Sequence, residues 1–210
     1  MSRKRNFKHA LVKARAYVRE LPNHVGYRAA RPPYHYPENV LLNGRGALTD
    51  IGRFDGTMEL PTLYLSASPT AVVREVGYAE EQHGRFVKHN KARDGKVVHA
   101  TYPLCIIPVR VRLERVLHVN EALGCLPIDE EELYDPYHDL KARAKEYVPV
   151  HELARAVREN GIEGILYFSR HEHESQNLAV FLENVASSRL SALYGKSGLC
   201  GDSANPGVSP

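Results

Sequence analysis

The sequence predicts an α+β domain, and three stretches predict it. Residues 61–66, reading PTLYLS, form a short apolar strand that runs directly into a helix. Ser68 suits its N-cap, Pro69 suits its first position, and Val72, Val73 and Val76 then share the inward face. Between residues 97 and 119, Val109, Val111 and Leu113 alternate with Arg110, Arg112 and Glu114, the period of a half-buried strand. A break at Pro103 or Pro108 divides that stretch into two strands. Residues 151–159, HELARAVRE, form a helix that stops at Asn160–Gly161, and the buried strand GILYFS follows.

The other elements fill in around these. Residues 5–21 place Phe7, Leu11, Val12, Ala14, Val18 and Leu21 at helical spacing among Lys and Arg, an amphipathic basic helix stopped by Pro22. Residues 31–46 are a loop by their prolines and glycines, with one helical turn at Glu38–Leu42. Residues 121–139 carry seven acids and no Lys or Arg, and read as a solvated loop. The alternative is that they neutralise the basic helix in the same chain or a sister chain. NLAVFLEN, from Asn177, is an apolar run of strand or short-helix length. From Gly195 to Pro210 the composition is too poor in apolar residues to bury a core, so a flexible tail is expected. The organisation predicted is a basic N-terminal helix over 1–25, one domain over 26–194 and a tail over 195–210.

At 210 residues the chain favours one domain with an elaborated edge. With 25% charged residues and a mean hydropathy of −0.40, it is neither fibrous nor wholly disordered. The net charge of +3 conceals a division. Residues 1–31 hold nine Lys or Arg against Glu20 alone, a balance of +8, so the remaining 19 bases and 24 acids give −5. A basic field over the whole surface, as a nucleic-acid-wrapping protein needs, is therefore excluded. Cys105, Cys125 and Cys200 form no C-x-x-C, which argues against a disulfide framework or a zinc ribbon and for a reducing, cytoplasmic setting. The basic N-terminus has no apolar signal core, and no run of 18 apolar residues occurs, so neither secretion nor membrane insertion is expected.

Familiar chemical signatures are missing. Gly44 and Gly46 begin a dinucleotide fingerprint, but Thr49 stands where its third glycine belongs, and there is no P-loop, G-x-S-x-G or H-E-x-x-H. His171-Glu172-His173-Glu174 alternates imidazoles without a third ligand at a recognisable spacing, so no metal is expected.

Three separated pieces remain: Gly26-Tyr27-Arg28; Gly52-Arg53-Phe54 followed by Leu63-Tyr64-Leu65 and the helix-borne Glu75; and Tyr167-Phe168-Ser169 leading to Gln176-Asn177-Leu178. Singly, each has a plain structural explanation. In this order, over about residues 26–185, they resemble the RES domain family. Its pattern runs from an early aromatic-Arg through G-R-W, an apolar Y-L-A strand and a helix carrying Glu to a late strand ending in Ser before Asn-Leu. Phe54 stands in place of the usual Trp and Ser66 in place of the usual Ala, and the acidic stretch and the tail look like additions.

The resemblance implies a fold similar to ADP-ribosyltransferase toxins, a core of small antiparallel sheets with flanking helices. It implies a toxin that degrades NAD+ by cleaving the nicotinamide–ribose bond, as glycohydrolase or phosphorylase, with NAD+ as substrate and no cofactor. The implied partner is an Xre-like, DNA-binding antitoxin through which alone nucleic acid is met; a homo-oligomer stays open.

Physical chemistry assigns roles consistent with that implication. Arg28 and Arg53 offer guanidinium forks to the pyrophosphate. Glu75 stabilises the positive charge that builds on the ribose, holds its hydroxyls or orients the attacking water or phosphate. Tyr64 stacks on the nicotinamide, with Tyr27 beside it, while Ser169 and Asn177 hydrogen-bond the ribose or the carboxamide. Two alternatives are ADP-ribosyl transfer to a protein, and a non-catalytic module whose +8 segment binds nucleic acid or an acidic partner with steep salt dependence.

Overall fold

In the computed structural model, residues 5–30, 38–44, 53–55, 60–75, 105–134, 149–169 and 175–193 are described in full and 78–81, 85–91 and 97–100 as backbone. Helix α1 (Phe7–Lys13) opens where the Asn6 side chain accepts the His9 N–H at 3.1 Å. Its Phe7, Ala10 and Leu11 are buried on one face. The sequence pattern extends this helix to Leu21, but it gives way to a 3₁₀ turn over Ala14–Tyr17 and then to strand β1 (Val18–Ala30). Pro22 does not stop a helix. It falls where the pairing of β1 with its neighbour slips between Leu21 and His24, a place where a missing N–H costs no ladder bond.

The elements that follow are α2 (Glu38–Leu41), β2 (Thr62–Ser66), α3 (Pro69–Glu75), β3 (Tyr78–Glu81), β4 (Arg85–Lys91) and β5 (Val97–Ala100). Ser68 caps α3 as its sequence predicts, accepting the Ala71 N–H at 3.0 Å. Next come β6 (Cys105–His118), α4 (Val119–Ala122), α5 (Glu130–Leu133), α6 (Pro149–Glu159), β7 (Gly164–Phe168), β8 (Gln176–Phe181) and β9 (Leu190–Ala192). The stretch divides into two strands as its sequence predicts, with β5 ending at Ala100 and β6 beginning at Cys105, and Pro108 lies inside β6. Gly161, at φ 65°, supplies the left-handed residue that ends α6.

The main sheet runs β1-β2-β8-β7-β6-β9, and β1 also pairs with β6, so five of its strands close into a ring. The closure is antiparallel except where β6 meets β7 at Val116–His118 in parallel, so the sheet is mixed rather than purely antiparallel. β3, β4 and β5 form a separate antiparallel sheet. Closure forces tight contact where β1 crosses β2. A Cβ on Gly26 would stand 2.7 Å from the Cβ of Leu65, so only glycine fits there.

Period-2 alternation sorts the strands' side chains into two cores. Leu63, Leu65, Val109, Val111, Leu166, Leu178 and Val180 fill the inside of the ring. Ile165, Tyr167, Ala179 and Phe181 face outward, where α1, α4, α5 and α6 cover them with Phe7, Leu11, Ala122, Leu133, Leu153 and Val157. Fully burying one such side chain is worth about 1.5–3 kcal/mol, so the helical layer is integral to the domain.

The acidic stretch is also more than a solvated loop in its described part. Asp129 and Glu132 form a capping box on α5, at 2.8 and 3.3 Å. Arg5 grips Glu132 with both nitrogens at 2.5 and 2.7 Å and donates to the Pro127 carbonyl at 2.7 Å, while Arg19 pairs with Glu121 at 2.6 Å. The basic N-terminal segment thus spends part of its charge on the acids of its own chain. Residues 195–210, the predicted tail, lie outside the described residues.

Candidate functional site

The outer face of the sheet ends in polar side chains where β2, β7 and β8 meet α3. Register places Asn177 of β8 opposite Tyr167 of β7 on one side and Ser66 of β2 on the other. Ser169 follows β7 directly, and its N–H donates to the Ser175 carbonyl at 2.7 Å, closing the β7–β8 connection at its root. Glu75, the last residue of α3, reaches over both. Its Oε1 accepts from Ser169 Oγ and from Asn177 Nδ2, each at 2.7 Å. Ser169 is 3% exposed and Asn177 2%, whereas Glu75 is exposed. The geometry is an exposed carboxylate fixed from beneath by two buried donors. Asn177 Oδ1 is buried and without a hydrogen-bond partner among the described residues, an acceptor left for a donor from outside.

Beside this triad lies a group of phenols. Tyr64 donates to Asp55 Oδ1 at 2.7 Å and accepts the Phe54 N–H at 2.9 Å. Burial pushes its hydroxyl well above the ordinary tyrosine value, and the Asp55 carboxylate adds to the effect. Tyr167 is raised by burial first and then by the Glu75 carboxylate, which sets it electrostatically next to Glu75, Arg53, Tyr134 and Asp55. Both phenols therefore stay protonated and act as donors, not as bases. Phe54 is fully buried and meets the Tyr167 ring edge-on at 4.9 Å, so it supports the site from the core.

The sequence-predicted residues do not all converge. Glu75, Ser169 and Asn177 touch, and Tyr64 and Arg53 flank them through Asp55, Tyr167 and Tyr134. Arg53 is half-buried. Its Nη1 donates to the Leu133 carbonyl, and its guanidinium lies 5.6 Å from the centre of the Tyr134 ring. Tyr27 sits on the same sheet side as Ser66 and packs with Val72 and Val73 of α3. Arg28, one residue on, follows Gly26 and its partner Ile107 to the inside of the ring. It is half-buried, burial pushes its guanidinium down to about 10, and it makes no ion pair with Glu75. It remains a cation at neutral pH, one poorly solvated and unmatched by a carboxylate among the described residues.

Asp55, Asn120, Tyr134 and Tyr167 belong to the site's surroundings, and sequence reasoning assigns none of them a role. Tyr167 lies within the strand motif that ends at Ser169, so alternation could have found it. Asn120 and Tyr134 carry no local signal, because their contacts cross 48 and 34 residues to Phe168. The described residues contain no group of three His, Cys, Asp or Glu able to hold a metal ion, and His171–Glu174 lies outside them. Among the described residues no helix is long and apolar enough to cross a membrane.

Comparison with known proteins gives two matches. The family model of the RES domain matches residues 26–193. In structure, the chain is similar to one in the crystal structure of the M. tuberculosis MbcT–MbcA toxin–antitoxin complex, with a TM-score of 0.58, 15% identity, and 90% of this chain and 91% of that chain covered. At that identity the likeness is one of fold. No curated protein matches the sequence.

Proposed function

Because the chain belongs to the RES domain family, matched over four-fifths of its length at residues 26–193, we propose that it is a toxin enzyme with an ADP-ribosyltransferase-like core that degrades NAD+. The observation that carries this reading is the fixed carboxylate. Glu75 is held by Ser169 and Asn177 at the exposed end of the outer sheet face, near the protonated Tyr167 and the Arg53 cation.

In the proposed reaction the bond between the ribose C1′ and the nicotinamide nitrogen breaks, and its electron pair leaves with the nicotinamide. A water or phosphate oxygen then bonds C1′; with water, one proton passes to solvent. The ribose becomes oxocarbenium-like on the way, and the Glu75 carboxylate stabilises that charge or orients the ribose hydroxyls toward it. Asn177 Oδ1, an unused buried acceptor, suits a ribose hydroxyl. Arg53, beside the outer-face site, suits a pyrophosphate through charge-assisted hydrogen bonds; Arg28, which leaves β1 on the inner side, is the second cation proposed for it, where an anion would replace lost hydration. The similarity to a chain from a toxin–antitoxin complex supports an antitoxin partner, which we take to be Xre-like.

The test is to incubate purified protein with NAD+, with and without inorganic phosphate, and to follow nicotinamide release. Release by the parent, reduced about 10³-fold in Glu75→Gln, is expected. Equal release by the two proteins would refute the role of Glu75, and no release by the parent would refute the reading itself.

A further inference from the structure

We propose that Tyr134, in the acidic stretch between the motifs quoted above, is a positioning residue that joins the two halves of this site. Its ring packs under the Arg53 guanidinium, 5.6 Å away, and the preceding carbonyl, of Leu133, accepts from Arg53 Nη1. Leu133 and Tyr134 together bracket that guanidinium and fix the direction of its remaining donors.

The hydroxyl acts on the other half. It accepts from Asn120 Nδ2 at 2.7 Å and lies 3.1 Å from both Asn120 Oδ1 and the Phe168 N–H, while the same N–H lies 3.0 Å from Asn120 Oδ1. Phe168 ends β7; the Ser169 N–H is held on the β8 side by the Ser175 carbonyl, so the Phe168 N–H is the point at which the opposite side of the strand is pinned next to the hydroxyl that reaches Glu75. Asn120 and Tyr134 provide that pin from outside the sheet, on the side of β7 where pairing with β6 has ended at Leu166. Burial raises the Tyr134 phenol above its ordinary value, so its proton stays in the network through neutral pH.

One side chain thus sets the direction of a cation proposed to bind phosphate and the position of a hydroxyl that holds the proposed catalytic carboxylate. A ring and a hydroxyl can be removed separately, which makes the two functions separable.

The kinetic arm of the test rests on the NAD+ reading above. Tyr134→Phe keeps the ring but removes one of the two acceptors of the Phe168 N–H and the hydroxyl that orients Asn120, so kcat for nicotinamide release falls about tenfold with KM within twofold of the parent. Tyr134→Leu loses the ring as well and raises KM about fivefold in addition. A second arm needs no turnover. Amide hydrogen exchange at Phe168 and Ser169 rises several-fold in Tyr134→Phe, while exchange in α6 is unchanged. If the parent does not act on NAD+, the functional reading falls and the exchange arm still decides the pin. Parent-like exchange in Tyr134→Phe, or an equal loss of kcat and rise of KM in both variants, overturns the proposal.

Discussion

Arg158 and Arg5 each bridge to a glutamate far along the chain, Glu183 and Glu132, yet the two arginines stand in opposite surroundings. The Arg158 side chain is 6% exposed; besides Glu183 it donates to Thr62 Oγ1 at 2.6 Å and lies 4.0 Å from the centre of the Phe181 ring. It also reaches the Phe54 carbonyl at 3.5 Å, so it braces the turn that carries Arg53. The Arg5 pair is 28% and 31% exposed, and water competes for it throughout. Charge type and partner are the same. The two carboxylates are also alike, Glu183 26% and Glu132 31% exposed; what differs is the burial of the arginine, and with it the number of groups left unpaired when it is removed.

The largest effect should come from breaking the interior pair. Arg158→Ala takes the cation from Glu183, the donors from Thr62 Oγ1 and the Phe54 carbonyl, and the guanidinium from the face of the Phe181 ring, so a loss of about 3 kcal/mol is expected in urea unfolding. Replacing both members, Arg158→Leu with Glu183→Leu, should recover most of that loss, because two apolar groups leave no stranded charge. A single variant within 1 kcal/mol of the parent would show that the interior pair behaves like a surface one.

Arg28 sharpens the contrast, being poorly solvated like Arg158 but without a carboxylate among the described residues. A structural arginine in that position is a liability; one awaiting an anion is not. Arg28→Met is therefore expected to stabilise the ligand-free protein by about 1 kcal/mol while abolishing NAD+ binding, read by a thermal melt with and without the nucleotide. The sign with pH follows. The folded guanidinium sits near 10, below its ordinary value, so its penalty is complete at neutral pH and fades only as pH rises through 10. The gain in Arg28→Met should hence be flat from pH 6 to pH 9. A destabilised variant would mean that Arg28 has a structural partner after all.

These arginines also mark where the sequence could be read and where it could not. Strand β2, the Ser68 cap and α3 were legible because their signals are local: an apolar pentad, a capping serine, a proline at the first helical position. So was the set Glu75, Ser169 and Asn177, though through resemblance rather than spacing. Residues 18–30 were not legible beyond their basic helical pattern, because pairing with the long strand β6 decides their state and outweighs local propensity. Nor could the sequence tell that Tyr27 and Arg28 part to opposite faces. That depends on an unbroken register from His24 to Ala30, which exists only once β6 is in place. The Tyr134–Asn120 pin was illegible for the same reason: two polar residues in an acidic run meet a strand end only in three dimensions.

The smallest effect belongs to the exposed pair, and it tests whether a weak contact can still matter to the site. Arg5 holds Glu132, Glu132 caps the short helix α5, and α5 leads straight to Leu133 and Tyr134, which bracket Arg53. Hydrogen bonding to Arg5 lowers the Glu132 carboxyl below its usual range, so the contribution is present above the ordinary carboxylate value and is lost as pH falls through the lowered one. Solvent screening keeps it small. Arg5→Ala should cost about 0.5 kcal/mol at low salt, and the difference from the parent should vanish near 0.5 M salt, where the screening length drops to roughly half its value at 0.1 M. If α5 depends on this grip, the proposed nicotinamide release should fall with salt in the parent and stay flat in the variant, which keeps most of its rate. A salt response identical in the two proteins would separate the N-terminal segment from the site and leave α5 held by its capping box and its packing on α6 alone.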